Sequence, residues 1–297
     1  MRSRRPGKNE PSREVLFCAD DLGASRGVNQ GILEAYLRGP VRRASVLAVG
    51  FALEDAVEVA RKAPDLEVGL HFSLSLGRPL SPGGKILAGK NGFFPPLNKV
   101  LARSLMGHID PGAVREEMEA QWEALLRAGL SPTYLDGHHH VHLFPGVREA
   151  LEGFLADHPV GRVRLLGEAI HFPPRRRLLP RFLMALFSRK AAPALRAKGV
   201  LREERALGLC LWQAQDLEGA LKTLLSRVPP GKWEVFTHPR YLDEDFERLD
   251  PASRKGPDPG RRELALLTNR DFLAWLESRG LLPPPPRGNG RSNPTTG

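Results

Sequence analysis

Cysteine is scarce in this chain: there are two in 297 residues, Cys18 and Cys210, each inside an apolar run. This pattern does not fit a scaffold stapled by disulfides and reads as two buried free thiols in a reducing compartment. Neither has an activating neighbour in sequence, so cysteine catalysis is not expected. Long apolar runs are missing too. No stretch reaches the ~18 residues that suggest a membrane-crossing helix. The Arg-, Lys- and Pro-rich start, Met1 to Glu14, leads only into the short run Val15 to Ala19, which is no secretion leader. A cytoplasmic protein is expected. Aromatic residues make up 7% of the chain and are sparse where positive charge is densest, between Arg175 and Arg205.

That segment holds ten Lys/Arg against two acids, so +8 of the net +10 sits in one place. It matches no nucleic-acid module, and no nucleic acid is expected as partner. It reads as a solvated basic insertion, with contact to an anionic substrate or a membrane surface as the functional alternative. Apolar residues at 41% beside 26% charged residues are enough to fill a core, which excludes general disorder.

Short apolar runs alternate with helical patterns, the mark of parallel β/α architecture. Strands are expected at Val15–Ala19, Ala44–Val49, Val68–Leu74, Thr133–Asp136, Val163–Leu166, Leu207–Trp212 and Glu234–Thr237. Helices are expected at Val28–Leu37, Glu54–Lys62, Pro111–Ala128, Pro145–Ala156, Leu217–Val228 and Glu263–Arg279. Ser75 to Asn98, rich in Gly, Pro and Ser, reads as one long loop. The fold class is α/β: an irregular, TIM-like (β/α) barrel of seven strands with a basic helical pair inserted at about 172–205. An open doubly wound sheet is the alternative. Residues 15–282 form the single domain, flanked by disordered ends at 1–14 and 283–297.

Chemistry-bearing residues gather at expected strand ends, where parallel β/α proteins build their sites. Asp20 and Asp21 close the first strand. Adjacent carboxylates repel, and a metal ion would hold both ionised. His71 lies on the third strand. Asp136-Gly137-His138-His139-His140-Val141-His142 follows the fourth. On an extended chain His138, His140 and His142 share a face, but the first and last are ~13 Å apart at about 3.3 Å per residue. One of the three is therefore a ligand, the others line or support the cleft, and His139 points away. His238 ends the last strand in Phe236-Thr237-His238-Pro239. One carboxylate with two imidazoles leaves coordination positions open, as hydrolytic metal sites require.

Taken in order, Ala19-Asp20-Asp21-Leu22-Gly23, Val28-Asn29, Gly69-Leu70-His71, the Asp136–His142 run, Val163-Arg164, Thr237-His238-Pro239 and Arg262-Glu263-Leu264 resemble the YdjC-like carbohydrate deacetylase family, which includes chitooligosaccharide deacetylases. The resemblance implies a barrel enzyme that uses one divalent metal ion to deacetylate N-acetylated sugars, oligosaccharide or glycolipid. It implies Asp21, His71 and His138 as ligands, with His140 or His142 as alternatives to His138. Asp20 would be the base and His238 the acid. His140, His142 and Arg164 would contact substrate, and Asp136 would orient a histidine. Mg or Zn is implied as the metal, with Mn and Co also suited to N/O ligation. A homodimer is common in the family. Departures are Leu22 for an aromatic, Gly137 for Ser and Arg240 for Gly, the last of which would alter the substrate. Trp212 reads as core rather than a sugar platform. The rival readings are a metal-dependent phosphoesterase and a non-enzymatic basic binder of nucleic acid or membrane.

Overall fold

Arg13–Leu22 forms the central strand β1, and its last eight residues are buried or nearly so because other strands flank it on both sides. The computed structural model describes residues 13–158, 160–167, 178–200, 205–209, 211, 214–254 and 258–286. After β1 come α1 (Arg26–Arg38), β2 (Val41–Val46), α2 (Leu53–Lys62) and β3 (Glu67–Phe72). Three helices follow without a strand: α3 (Pro82–Leu87), α4 (Leu97–Leu105) and α5 (Pro111–Arg127). β4 (Leu135–Gly137) leads into a 3-10 turn, His138–Leu143, and then α6 (Val147–Asp157). The chain continues through α7 (Leu178–Ala197), β5 (Arg205–Leu207), α8 (Leu217–Arg227), β6 (Gly231–Thr237), α9 (Glu244–Leu249), α10 (Pro259–Leu267) and α11 (Arg270–Ser278).

The six strands are parallel, in the order β4-β3-β2-β1-β6-β5. Residues 161–167 supply a seventh segment, with single bridges from Val163 to Leu135 on one side and from Leu166 to Ala206 on the other. The result is a seven-strand, half-barrel sheet flanked by helices. It matches the expected TIM-like barrel in outline, without that fold's regular closure.

Strand alternation puts every second side chain inside. The inward set is Cys18 and Asp20, Arg43 and Ser45, Gly69 and His71, Tyr134 and Asp136, Arg162 and Arg164, Glu234 and Phe236. Barrels of this kind are usually filled by branched apolar side chains; this interior is largely ionic. Glu234 meets Arg162 at 2.5 Å, Arg164 at 2.6 Å and Arg43 at 3.3 Å. Burial raises the Glu234 carboxyl, but these three guanidinium groups hold it down at about 2. Gly69 leaves room for Tyr134, because a Cβ there would lie 2.4 Å from that ring. Apolar side chains of the strands and of the helices that flank them form one buried cluster.

Several expectations need correction. The loop at Ser75–Asn98 contains α3 and the start of α4, nucleated by Ser81, whose Oγ accepts from the Gly84 amide at 2.8 Å ahead of Pro82. The expected closing helix is two, α10 and α11, since Asn269 caps a new start by accepting from Phe272 N at 3.0 Å. Helix α9 was not expected at all. The basic insertion carries one described helix, α7. The rest of the insertion (168–177 and 201–204), Cys210, Trp212 and nearly all of the expected disordered ends lie outside the described residues. Cys18 is a buried free thiol, as expected. Among the described residues no helix is long and apolar enough to cross a membrane.

Candidate active site at the strand ends

The C-terminal ends of β1, β3, β4 and β6 bring the expected residues together. In a regular strand Asp20 and Asp21 would face opposite sides. Asp21 instead has a left-handed backbone (φ 70°), and both carboxylates come within reach of His71. Asp21 Oδ1 lies 2.9 Å from His138 Nδ1 and 3.4 Å from His71 Nε2. Ligand-type atoms of Asp21, His71 and His138 all lie within 4.8 Å of one another. Among the described residues this cluster, rather than one with His140 or His142, joins Asp21 to two imidazoles.

Neighbouring register partners on β3 and β4 put Asp136 beside His71, and Asp136 Oδ1 lies 2.6 Å from His71 Nδ1. That fixes the ring and turns Nε2 toward Asp21. Ser45 donates to the other Asp136 oxygen at 2.6 Å. Burial disfavours a charged His71, yet Asp136 and Asp20 push it up to about 10. Burial likewise raises Asp21, but His138 and His71 together hold it well below the usual carboxylate range.

Asp20 is chelated by Arg164, whose two terminal nitrogens approach its oxygens at 2.6 and 2.8 Å. Burial raises this carboxyl too, and Arg164 and His71 overcome that and keep it ionised. Arg164 also reaches Asp136 at 2.7 Å and Glu234 at 2.6 Å. At 1% exposure, with three carboxylates around its guanidinium, Arg164 does not face the mouth. Its guanidinium is engaged by these carboxylates, Asp20 among them.

The histidine run departs from the extended geometry. His139 (φ 54°) and His140 (φ 57°) are both left-handed, and the chain coils into a 3-10 turn. His139 does not point away: its Nδ1 lies 2.9 Å from Ser75 Oγ, and its ring centre is 4.0 Å from that of His138. His142 is fully buried, donates from Nε2 to the Arg164 carbonyl at 3.0 Å and is kept neutral by burial, with its pKa lowered to about 4. His140, also neutral because of burial, packs edge-on to Phe236 at 5.0 Å.

At the end of β6, Glu263 from α10 accepts from the His238 amide at 2.5 Å, and its carboxylate lies 3.8 Å from His238 Nδ1. Burial lowers the His238 imidazole, but Glu263 more than offsets it and the net shift is upward. Arg240 is buried against Asp258 at 2.7 Å, so its place after His238-Pro239 does not put it in the site. Sequence reasoning missed Glu234, Arg162 and Arg43. Their signal was a charge alternating with apolar residues along a strand, as Glu234 does between Trp233 and Val235.

The family model described as YdjC-like protein matches residues 14–278. A Geobacillus stearothermophilus protein named carbohydrate deacetylase is 42% identical over 91% of this chain and 95% of its own length. A mouse protein of the same name is 31% identical over 91% and 93%. A crystal structure from Enterococcus faecalis V583, provisionally named as a cellobiose-phosphate cleavage protein, superposes with a TM-score of 0.71 over 91% of this chain and 96% of that one. At 22% identity it speaks for the fold alone. With a family model spanning almost the whole described chain and its residues gathered at one barrel mouth, this protein belongs to the YdjC-like family.

Proposed function

We propose that this protein hydrolyses the acetamide of N-acetylated sugars, oligosaccharide or glycolipid, with one divalent cation held by Asp21, His71 and His138. The observation that carries the reading is this mixed donor set beside a second, ionised carboxylate, Asp20. The residues fit a cation: one oxygen and two nitrogens converge, and His71 presents Nε2 because Asp136 occupies Nδ1. Such a cation would polarise the acetamide carbonyl and acidify the attacking water.

The remaining roles fall to the chain. Asp20, kept ionised by Arg164, accepts the water's proton. His238, whose pKa Glu263 raises, protonates the departing nitrogen, which is otherwise a poor leaving group. Acetate and an amino sugar result. Asp136 and Glu234 are both committed to guanidinium groups, which leaves few carboxylates for the second metal that phosphoesterase sites often use. Acetate release from N-acetylglucosamine oligomers, lost on chelation and regained with one equivalent of Zn2+ or Mg2+ per chain, is the expected result. Release indifferent to chelation, or phosphate ester cleavage in its place, overturns the reading.

The His238–Glu263 contact makes a second prediction. An acid catalyst must be protonated, so activity falls as pH rises through its pKa. The upward shift of His238 puts that alkaline limb above the free-imidazole value. Glu263→Gln removes the charge, lowers the His238 pKa and moves the alkaline limb of kcat to lower pH, by about one unit for each ~1.4 kcal/mol of interaction lost. An unmoved limb in a pH–rate profile would take His238 out of the acid role.

A further inference from the structure

Asn29 touches none of the metal-donor atoms, yet it is wholly buried in α1 and uses both ends of its amide. Its Oδ1 accepts from the Gly23 amide at 2.6 Å. Its Nδ2 donates to the Ala52 carbonyl at 3.0 Å and to Asp55 Oδ2 at 2.8 Å. One side chain thus ties the end of β1 to the start of α2. Just upstream the backbone is unusual: Asp21 has φ 70° and Gly23 φ 93°. A left-handed non-glycine residue persists only where its surroundings over-determine it. Here the Asp21 carbonyl is held by Ala24 N at 3.0 Å and the Gly23 carbonyl by Ala52 N at 2.9 Å. Asn29 supplies the bond on the amide side of Gly23.

We infer that Asn29 is a positioning residue for cation binding: by clamping Gly23 to α2 it holds the left-handed turn that aims the Asp21 carboxylate at His71 and His138. This rests on the cation reading proposed above. The position asks for an acceptor and a donor on one small side chain. Aspartate keeps the acceptor, lacks the donors and sets a carboxylate against Asp55. Leucine lacks both functions.

The test is titration of the purified, metal-free chain with Zn2+ and with Mn2+, beside its melting temperature without metal. Asn29→Asp and Asn29→Leu are expected to weaken cation affinity roughly 10–100-fold, the range seen when the outer support of a ligand is lost. Asn29→Asp combined with Asp55→Asn restores the bond between positions 29 and 55 but not the one to the Ala52 carbonyl, and is expected to recover part of the affinity lost in Asn29→Asp. It carries the test if Asn29→Leu does not fold. A purely structural Asn29 would lower the melting temperature of both single variants while the folded protein bound cation as the wild type does. That result overturns the inference and leaves the site intact. A wild-type chain that takes up no cation overturns the site reading, and the positioning role with it.

Discussion

Asp21→Asn is expected to lower cation affinity by roughly 100-fold and acetate release at least in proportion at limiting metal, with little change in fold. Loss of an outer support alone costs about 10–100-fold in metal affinity, and Asp21 is proposed as the single anionic donor of the set. Asparagine is the informative replacement. It keeps the shape of the side chain, and with aspartate it is among the few residues that tolerate a left-handed backbone, which position 21 requires. Alanine would confound lost charge with backbone strain. The two imidazoles stay where Asp136 and the histidine turn hold them, so weak residual binding is expected rather than none. His138 loses its anionic neighbour at 2.9 Å and His71 loses one at 3.4 Å. Elemental analysis after dialysis against a metal buffer, with circular dichroism as the control for folding, checks it. Wild-type occupancy in the variant would remove Asp21 from the ligand set and with it the proposed centre.

The parts of this site that were legible in the sequence are those that ride on regular strands. Asp20, Asp21, His71, Asp136 and His238 could be assigned to one mouth because short apolar runs end at or near them, and parallel strands deliver their ends to one side. The histidine run was misread for a specific reason. Extended geometry was assumed, whereas His139 and His140 adopt left-handed conformations that no residue pattern announces for histidine. The coil shortens the path, sends His139 to Ser75 and buries His142 under Arg164.

The sequence singles out Arg164 but not its neighbours. A charged residue between Val163 and Leu165 can face a cleft or a core, and only the partner carboxylates on β1, β4 and β6 decide which. Those partners lie 28 to 144 residues away in sequence, beyond local pattern. Glu263 and Asn29 sit on helix faces, and their contacts to His238, and to Ala52 and Asp55, are tertiary in the same way. Helices α3 and α4 were hidden by composition, because Gly, Pro and Ser there serve as helix caps and first-turn residues as well as loop residues.

Asp20→Asn should separate chemistry from metal binding: kcat is expected to fall about 10²–10⁴-fold, the span of a lost general base, while cation stoichiometry and KM stay near wild type. The substitution preserves volume in a site with 2% exposure. Asparagine still offers one oxygen to Arg164 but turns an amide toward the other guanidinium nitrogen, so one of the two bonds at 2.6 and 2.8 Å is lost. Taking one partner from a buried pair can cost about 3–5 kcal/mol when a charge is left uncompensated. Arg164 keeps Asp136 at 2.7 Å and Glu234 at 2.6 Å, so a smaller loss of stability is expected and the protein should remain folded at assay temperature. An interaction made only in the transition state lowers kcat and kcat/KM together, which is the signature to look for in steady-state acetate release. A kcat within tenfold of wild type would mean that proton transfer does not need this carboxylate. Loss of the cation would make Asp20 a ligand, and the division of labour between the two adjacent aspartates would have to be reversed.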